Sequence, residues 1–334
     1  MAILKYLCFP ILAFCLTGCY DDFDPDVDIT PVLCINSLIT AGEPVEVEVS
    51  RTRMFTDDRP GDTFGVDDAI VSVYANGELK DSSYLPQEGD HISIVAESAK
   101  FGRAEAEVTV PVSVPVTSLK ATPVITDRLI DDLPGWAMLC DVSFNLMVEM
   151  EIADDARSDN YFRLSYSTFL PMGDNYQDES SGSGIPGVSF YCGTFNYELE
   201  PIFSEHVDIF ESVMGGAATE FTFFTDRQFS GRSYTLHLQF RNGSFYVNSR
   251  EWEPSYFDCG LEFTLHTVSE SYYSCSNYIW QRDEGITGDL SGIGLSDPMW
   301  AYSNVSTGAG VVAAQSLRTY TLSLAEFLQS TTRP

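Results

Sequence analysis

From residue 30 onward the chain alternates apolar and polar positions. Val45-Glu46-Val47-Glu48-Val49 sends hydrophobic and charged side chains to opposite faces, the period of a half-buried strand. Ile70-Val71-Ser72-Val73-Tyr74 repeats the pattern and stops at Asn76-Gly77, a pair that tolerates positive φ and suits a tight hairpin turn. Residues 91–96 and 104–110 alternate again, on either side of a turn at Lys100-Phe101-Gly102. Short strands at close intervals, with no helical period between them, predict an immunoglobulin-like β-sandwich over residues 30–115. Pro111-Val112-Ser113-Val114-Pro115-Val116 then reads as a stiff extended connector, because its two prolines fix φ and remove ladder donors. The domain boundary is placed there.

Residues 118–334 form the larger domain. Strands are expected at 139–151, 161–169, 220–225, 233–240, 261–268, 310–314 and 319–324. Ser269 suits the N-cap of a helix running to about Arg282, and residues 205–213 are a weaker helical stretch. The segment 171–187 holds Gly173, Gly182, Gly184 and Gly187 beside Ser180-Ser181, so a flexible insertion is expected there. The fold class that follows is all-β: an N-terminal immunoglobulin-like sandwich, then a larger β-sandwich-like domain with one or two short helices.

The first nineteen residues follow another logic. Lys5 precedes an apolar run over residues 6–16, too short to cross about 30 Å of hydrocarbon as a helix but of the size of a signal-peptide core. Leu16-Thr17-Gly18-Cys19 has the form of a bacterial lipobox, so residues 1–18 are expected to be a lipoprotein signal peptide and the Cys19 thiol the lipidation site. Each buried CH₂ of an acyl chain contributes about 0.8 kcal/mol, which makes a triacylated Cys19 a durable anchor. Residues 19–29 continue as Cys19-Tyr20-Asp21-Asp22-Phe23-Asp24-Pro25-Asp26-Val27-Asp28-Ile29, an acidic tether too polar to pack. Acidic residues directly behind the lipid cysteine also resemble the surface-export signal of Bacteroidetes-type lipoproteins. The expected address is the outer membrane, lipid-anchored and facing outward.

Charge narrows the partners. Eighteen Lys+Arg against 49 Asp+Glu give a net charge of −31, a surface that repels phosphate backbones, so nucleic-acid binding is excluded. Of the eight cysteines, Cys34, Cys140, Cys192, Cys259 and Cys275 remain beyond Cys19. An exported protein lies where disulfides persist, and Cys259–Cys275 and Cys140–Cys192 are the expected pairs, with Cys34 a small buried hydrophobe. No spacing of Cys and His suggests a zinc site. The chain has only four histidines, His91, His206, His237 and His266. His237, in Thr-Leu-His-Leu-Gln, and His266, in Thr-Leu-His-Thr-Val, sit mid-strand and are expected to point away from their leucine neighbours, on polar faces. Ser183, in Gly182-Ser183-Gly184, lacks the flanking residues of a nucleophile elbow. Asp24, Asp26 and Asp28 fail as a calcium loop because Ile29 and Ile35 occupy the glycine and glutamate positions. Asp57-Asp58, Asp67-Asp68 and Asp154-Asp155 are read as solvated turns, and no metal or cofactor is expected. Aromatics gather late in the chain, at Tyr256-Phe257, Tyr272-Tyr273, Tyr278, Trp280, Trp300 and Tyr302. They read as core first and as a sugar- or protein-binding face second.

Several stretches together resemble a known family. Val32-Leu33-Cys34-Ile35-Asn36-Ser37-Leu38-Ile39-Thr40 with Gly42-Glu43-Pro44, the strand over 104–111, Val268-Ser269-Glu270-Ser271-Tyr272-Tyr273, and Asp297-Pro298-Met299-Trp300-Ala301-Tyr302-Ser303-Asn304-Val305 with Gly308-Ala309-Gly310 are similar to a domain of unknown function found in Bacteroidetes outer-membrane lipoproteins. The likeness covers most of residues 30–325. Members are typically encoded beside TonB-dependent receptors, so the resemblance implies a non-enzymatic accessory role in nutrient binding or uptake, with such a receptor as partner. It carries over no catalytic residue. The competing expectations are a surface hydrolase acting on glycans or peptides and an adhesin-like envelope component.

Overall fold

Alternation decides which side chains share a face, and the strand partners decide what covers it. The computed structural model describes residues 30–53, 64–133, 137–155, 159–170, 187–196, 199–204, 222–249, 253–283, 285–292 and 299–332. Its strands, numbered in chain order, form three sheets. The largest has the order β12 (Phe223–Thr225), β9 (Tyr161–Phe169), β14 (Gly260–Val268), β15 (Ala309–Ser323), β1 (Leu33–Thr40), β2 (Glu48–Arg51). A four-stranded sheet has the order β4 (Glu78–Lys80), β3 (Ile70–Ala75), β5 (His91–Ser98), β6 (Gly102–Thr109). The third has the order β10 (Val188–Tyr191), β13 (Ser233–Ser249), β8 (Ala137–Ala153), β7 (Val116–Leu133), with β11 (Thr194–Asn196) also on β13. The chain is an all-β, sandwich-like protein.

Register shows how the sheets stack. β1 runs parallel to β15 with Ser37 opposite Val312 and Ile39 opposite Ala314, while β14 runs antiparallel with Leu261 opposite Leu322. Residues 312, 314, 316, 318, 320 and 322 of β15 therefore share one face. At one end of it, Val312 and Ala314 join Leu33, Ile35 and Ile39 of β1 in a smaller core against Ile92, Ile94, Ala104 and Ala106 of the four-stranded sheet. At the other end, Leu322 joins Leu261, Phe263 and Leu265 of β14 in a larger core against Phe144, Val148, Phe240 and Phe245 of the third sheet. The two smaller sheets thus lie side by side on one face of the six-stranded sheet.

The strip between the two cores is polar, and it holds the connector. Ser316 Oγ donates to the Pro111 carbonyl at 2.6 Å, and Arg318 Nε donates to Ser113 Oγ at 2.6 Å. The Val114 amide donates to Thr267 Oγ1 at 3.1 Å, and the Val116 amide to the Tyr320 hydroxyl at 2.9 Å. The stretch expected as a connector is therefore one, free of strand pairing over residues 110–115. It does not, however, separate self-contained domains. Residues 30–115 close no immunoglobulin-like sandwich alone, because the layer facing their four-stranded sheet is completed by β15 from the far end of the chain.

Local details follow the sequence where the cause is local. Asn76 and Gly77 both adopt positive φ, +54° and +83°, and turn β3 into β4. Strands expected separately at 310–314 and 319–324 are one, since Ser316 and Arg318 between them bind the connector rather than ending the strand. β7 carries no strand signal in the sequence: among the described residues it pairs only with β8, so as an edge strand it needs no clean alternation and tolerates Pro123. Helix α1 (Glu270–Asp283) lies on the opposite face of the six-stranded sheet, against β15 and β9. Helices α2 (Ile286–Gly292) and α3 (Ala325–Thr332) follow it in the chain, and α3 places Leu328 and Phe327 over the end of the larger core. The helical stretch expected at 205–213 and most of the insertion at 171–187 lie outside the described residues. Among the described residues, no helix is long and apolar enough to cross a membrane.

Candidate functional site

Where the connector leaves β6, five pieces of chain, one of them at Gly89, meet around a cleft of 610 Å³. Glu107–Val112 form one wall and residues 159–161, at the start of β9, another. The end of β14 with the first turn of α1, and Tyr302 with Asn304, complete it.

The walls are fixed by side chains that are already fully engaged. Ser269 caps α1: its Oγ accepts from the Tyr272 amide at 3.3 Å and from the Ala314 amide at 3.0 Å. Ser271 Oγ donates to the Val312 carbonyl at 2.9 Å, locking the helix start to β15. Asn304 mimics a strand neighbour, since its Nδ2 donates to the Val312 carbonyl at 2.8 Å while its Oδ1 accepts from the Val312 amide at 2.9 Å. Opposite, the amide of Asn160 donates to Asp226 Oδ2 at 2.8 Å and its Nδ2 donates to Asp154 Oδ1 at 2.7 Å. Asp226 is almost fully buried, at 1% exposure, and burial raises its carboxyl above the ordinary range, with Asp154 and Asp159 adding to the rise. These groups build the cleft and have little left to offer a ligand.

What remains is a small set. The phenols of Tyr161 and Tyr302 and the carboxylates of Asp159 and Glu270 make no side-chain hydrogen bond with another described residue. Burial raises both phenols, and the Glu270 carboxylate raises them further, so they stay protonated as donors. Glu107 lines the cleft too, with His91 Nε2 at 3.5 Å from its Oε2. No Lys or Arg is among the described lining residues. Two phenolic donors and three carboxylates suit a polar neutral or cationic ligand and repel an anion.

Other residues singled out by sequence fall elsewhere. Cys19, with the signal peptide at 1–18 and the tether through residue 29, lies outside the described residues, as do Asp57-Asp58, Ser183 and His206. The expected disulfides are corrected: Cys34, Cys140, Cys192, Cys259 and Cys275 are all free. Cys259 and Cys275 stand beyond opposite ends of β14, whose nine residues span roughly 30 Å. Cys140 is in line with Val247 and, one strand further, with Val188, while Cys192 lies four residues beyond Val188. Two strand spacings and that offset separate the pair by roughly 16 Å, far beyond the ~7 Å limit of a disulfide. Burial pushes the Cys140 and Cys192 thiols up to about 11 and that of Cys259 up to about 12, which makes them inert packing groups.

His237 is exposed as expected, but His266 is not: α1 and β15 cover it to 9% exposure. The late aromatics divide. Tyr256 and Phe257 are core, Tyr273 packs against Tyr161 at 5.1 Å between ring centroids, and Trp300 stands 87% exposed beside the cleft residue Tyr302. Among the described residues, no group of three His, Cys, Asp or Glu is placed to hold a metal ion.

Fold and cleft together define a strand-built sandwich protein with a 610 Å³ cleft where its two cores meet. The chain belongs to the family described as a domain of unknown function, DUF4249, which matches residues 20–321. No curated protein and no solved structure matches it. The match spans every stretch that carried the resemblance, ends within β15, and leaves out helix α3.

Proposed function

We propose that this protein is a lipid-anchored, outward-facing component of the outer membrane that assists a TonB-dependent receptor in binding or taking up a nutrient. The Leu16-Thr17-Gly18-Cys19 lipobox and the acidic tether support the anchor and its orientation. The binding role is carried by one observation. In the cleft, the structural polar groups are consumed internally, while Tyr161, Tyr302, Asp159 and Glu270 keep their hydrogen-bonding capacity for something else. Built walls with unspent, convergent groups are the form of a binding site. Their signs favour a polar or cationic nutrient over a carboxylate or phosphate.

The reading is tested on gently solubilised outer membranes. Affinity-tagged protein is expected to bring down a receptor barrel, and recovery of the protein alone counts against the partnership. Fatty-acid labelling is expected in the native chain and absent in Cys19→Ala. For the cleft, thermal shifts with a neutral oligosaccharide, a polyamine and a tricarboxylate are expected to show stabilisation by one of the first two only. Tyr302→Phe and Glu270→Gln should each weaken that shift several-fold. A tricarboxylate response overturns the cleft assignment.

A further inference from the structure

On the helix-covered face of the six-stranded sheet, four polar side chains from four adjacent strands form one hydrogen-bonded row. Ser165 Oγ on β9 is 2.9 Å from His266 Nε2 on β14, and His266 Nδ1 is 3.0 Å from Gln315 Oε1 on β15. Gln315 Nε2 in turn donates to Thr40 Oγ1 on β1 at 3.1 Å. Its donor nitrogen is thus committed to Thr40, so the carboxamide presents its oxygen to the imidazole. Nδ1 therefore carries the proton, and the Nε2 lone pair faces the Ser165 hydroxyl. This is the tautomer and the order of a nucleophile, a base and the group that orients the base. Arg163 lies opposite His266 in the ladder and two residues before Ser165, on the same face. Its Nη1 donates to the Tyr272 hydroxyl at 3.1 Å, which fixes a cation beside the pair. Ser165 itself is only half-buried.

We propose that Ser165 is a nucleophile toward acyl esters, with His266 as its base, Gln315 as the positioning residue and Arg163 as the cation that offsets the developing oxyanion. In the step, the Ser165 Oγ–C bond forms as its proton passes to His266 Nε2. The ester C–O bond then breaks, the leaving alkoxide takes that proton from His266, and water later hydrolyses the acyl-serine. Burial, with Arg163 adding to it, lowers the His266 pKa below its ordinary value of 6.5, so the base form persists in mildly acid surroundings. None of these four residues lines the cleft. The binding reading and this one therefore stand or fall separately.

The test uses the full detergent-solubilised chain and a fluorophosphonate probe. The probe places phosphorus on a serine oxygen as fluoride leaves and His266 passes the serine proton to solvent. Peptide mapping is expected to find the adduct on Ser165, absent in Ser165→Ala. The labelling rate should fall roughly 100-fold in His266→Gln, the size of a lost general base, and persist in Gln315→Glu, whose carboxylate also accepts from Nδ1–H. In the native chain the rate should hold steady down through pH 6.5 and drop only below it, a profile that needs no variant to fold. Ser165 left unmodified, or modified no faster than other exposed serines at every pH, overturns the proposal.

Discussion

The two cores on the shared face are built from different materials. In the larger one Phe144, Phe162, Phe224, Phe240, Phe245, Phe257 and Phe263 are fully buried. Phe240 alone has ring neighbours at 5.0 Å (Tyr166), 5.2 Å (Phe195) and 6.2 Å (Phe263). The buried members of the smaller core carry no ring: they are Leu, Ile and Val with a run of alanines, Ala75, Ala96, Ala104, Ala106 and Ala314. Side-chain size sets how closely layers approach, so the alanine-rich side is a tight contact and the phenylalanine-rich side a thick one. The consequence is a difference in vulnerability. Truncation leaves cavities in the larger core, whereas crowding and backbone strain threaten the smaller. β15 serves both, through Val312 and Ala314 at one end and Leu322 at the other.

Single substitutions should separate the two cores. Phe240→Ala should cost about 3–5 kcal/mol, the usual loss for a fully buried phenylalanine, read as a drop in denaturant midpoint. Next comes Gly310→Ala. Gly310 has φ +109°, and an added Cβ would sit 2.2 Å from the Ile35 carbonyl oxygen, across the parallel pairing of β1 and β15. The φ strain alone is worth about 1–3 kcal/mol. Hydrogen exchange should show β5 and β6 losing protection while β8 and β13 keep it; equal loss in both would mean that the cores unfold as one. Ser316→Ala, removing the donor to the Pro111 carbonyl in the strip between the cores, should cost about 1 kcal/mol. It should also raise exchange in the connector before either core.

The smallest effect is a pH dependence on the larger-core side. The folded-state pKa of Asp226 is raised above its ordinary 3.8. Its folded form thus holds a proton that the unfolded chain has already released. Its contribution is complete below pH 3.8 and is lost as pH rises through the raised value. Asp226→Asn should flatten that region of the stability profile, and a steeper one would reverse the assignment.

Much of the fold was legible in residues 70–110 and 161–169, where strand and turn are set by neighbours a few positions away. Asn76-Gly77 turns because those residues accept positive φ. Ser269 starts a helix because its hydroxyl satisfies that helix's first amides. The cleft was legible only in fragments. Glu107, Ser269, Tyr302 and Asn304 fall within the family-like stretches, but Asn160 and Asp159 carry no local signal for meeting them. His266 misled for a related reason: alternation placed it opposite Leu265 correctly, but could not know that α1 would pack on the polar face of that sheet.

By itself, then, the sequence determined the strand-rich class, the hairpin and cap positions and the unpaired connector ahead of Val116, all products of short-range chemistry. Only the tertiary structure decided that β15 lies between β14 and β1, that the thiols stand too far apart to join, and that two cores share one sheet. The reason is physical. A period of two specifies an inside and an outside, whereas a partner hundreds of residues away is chosen by the combined fit of whole faces, which no single stretch of chain contains.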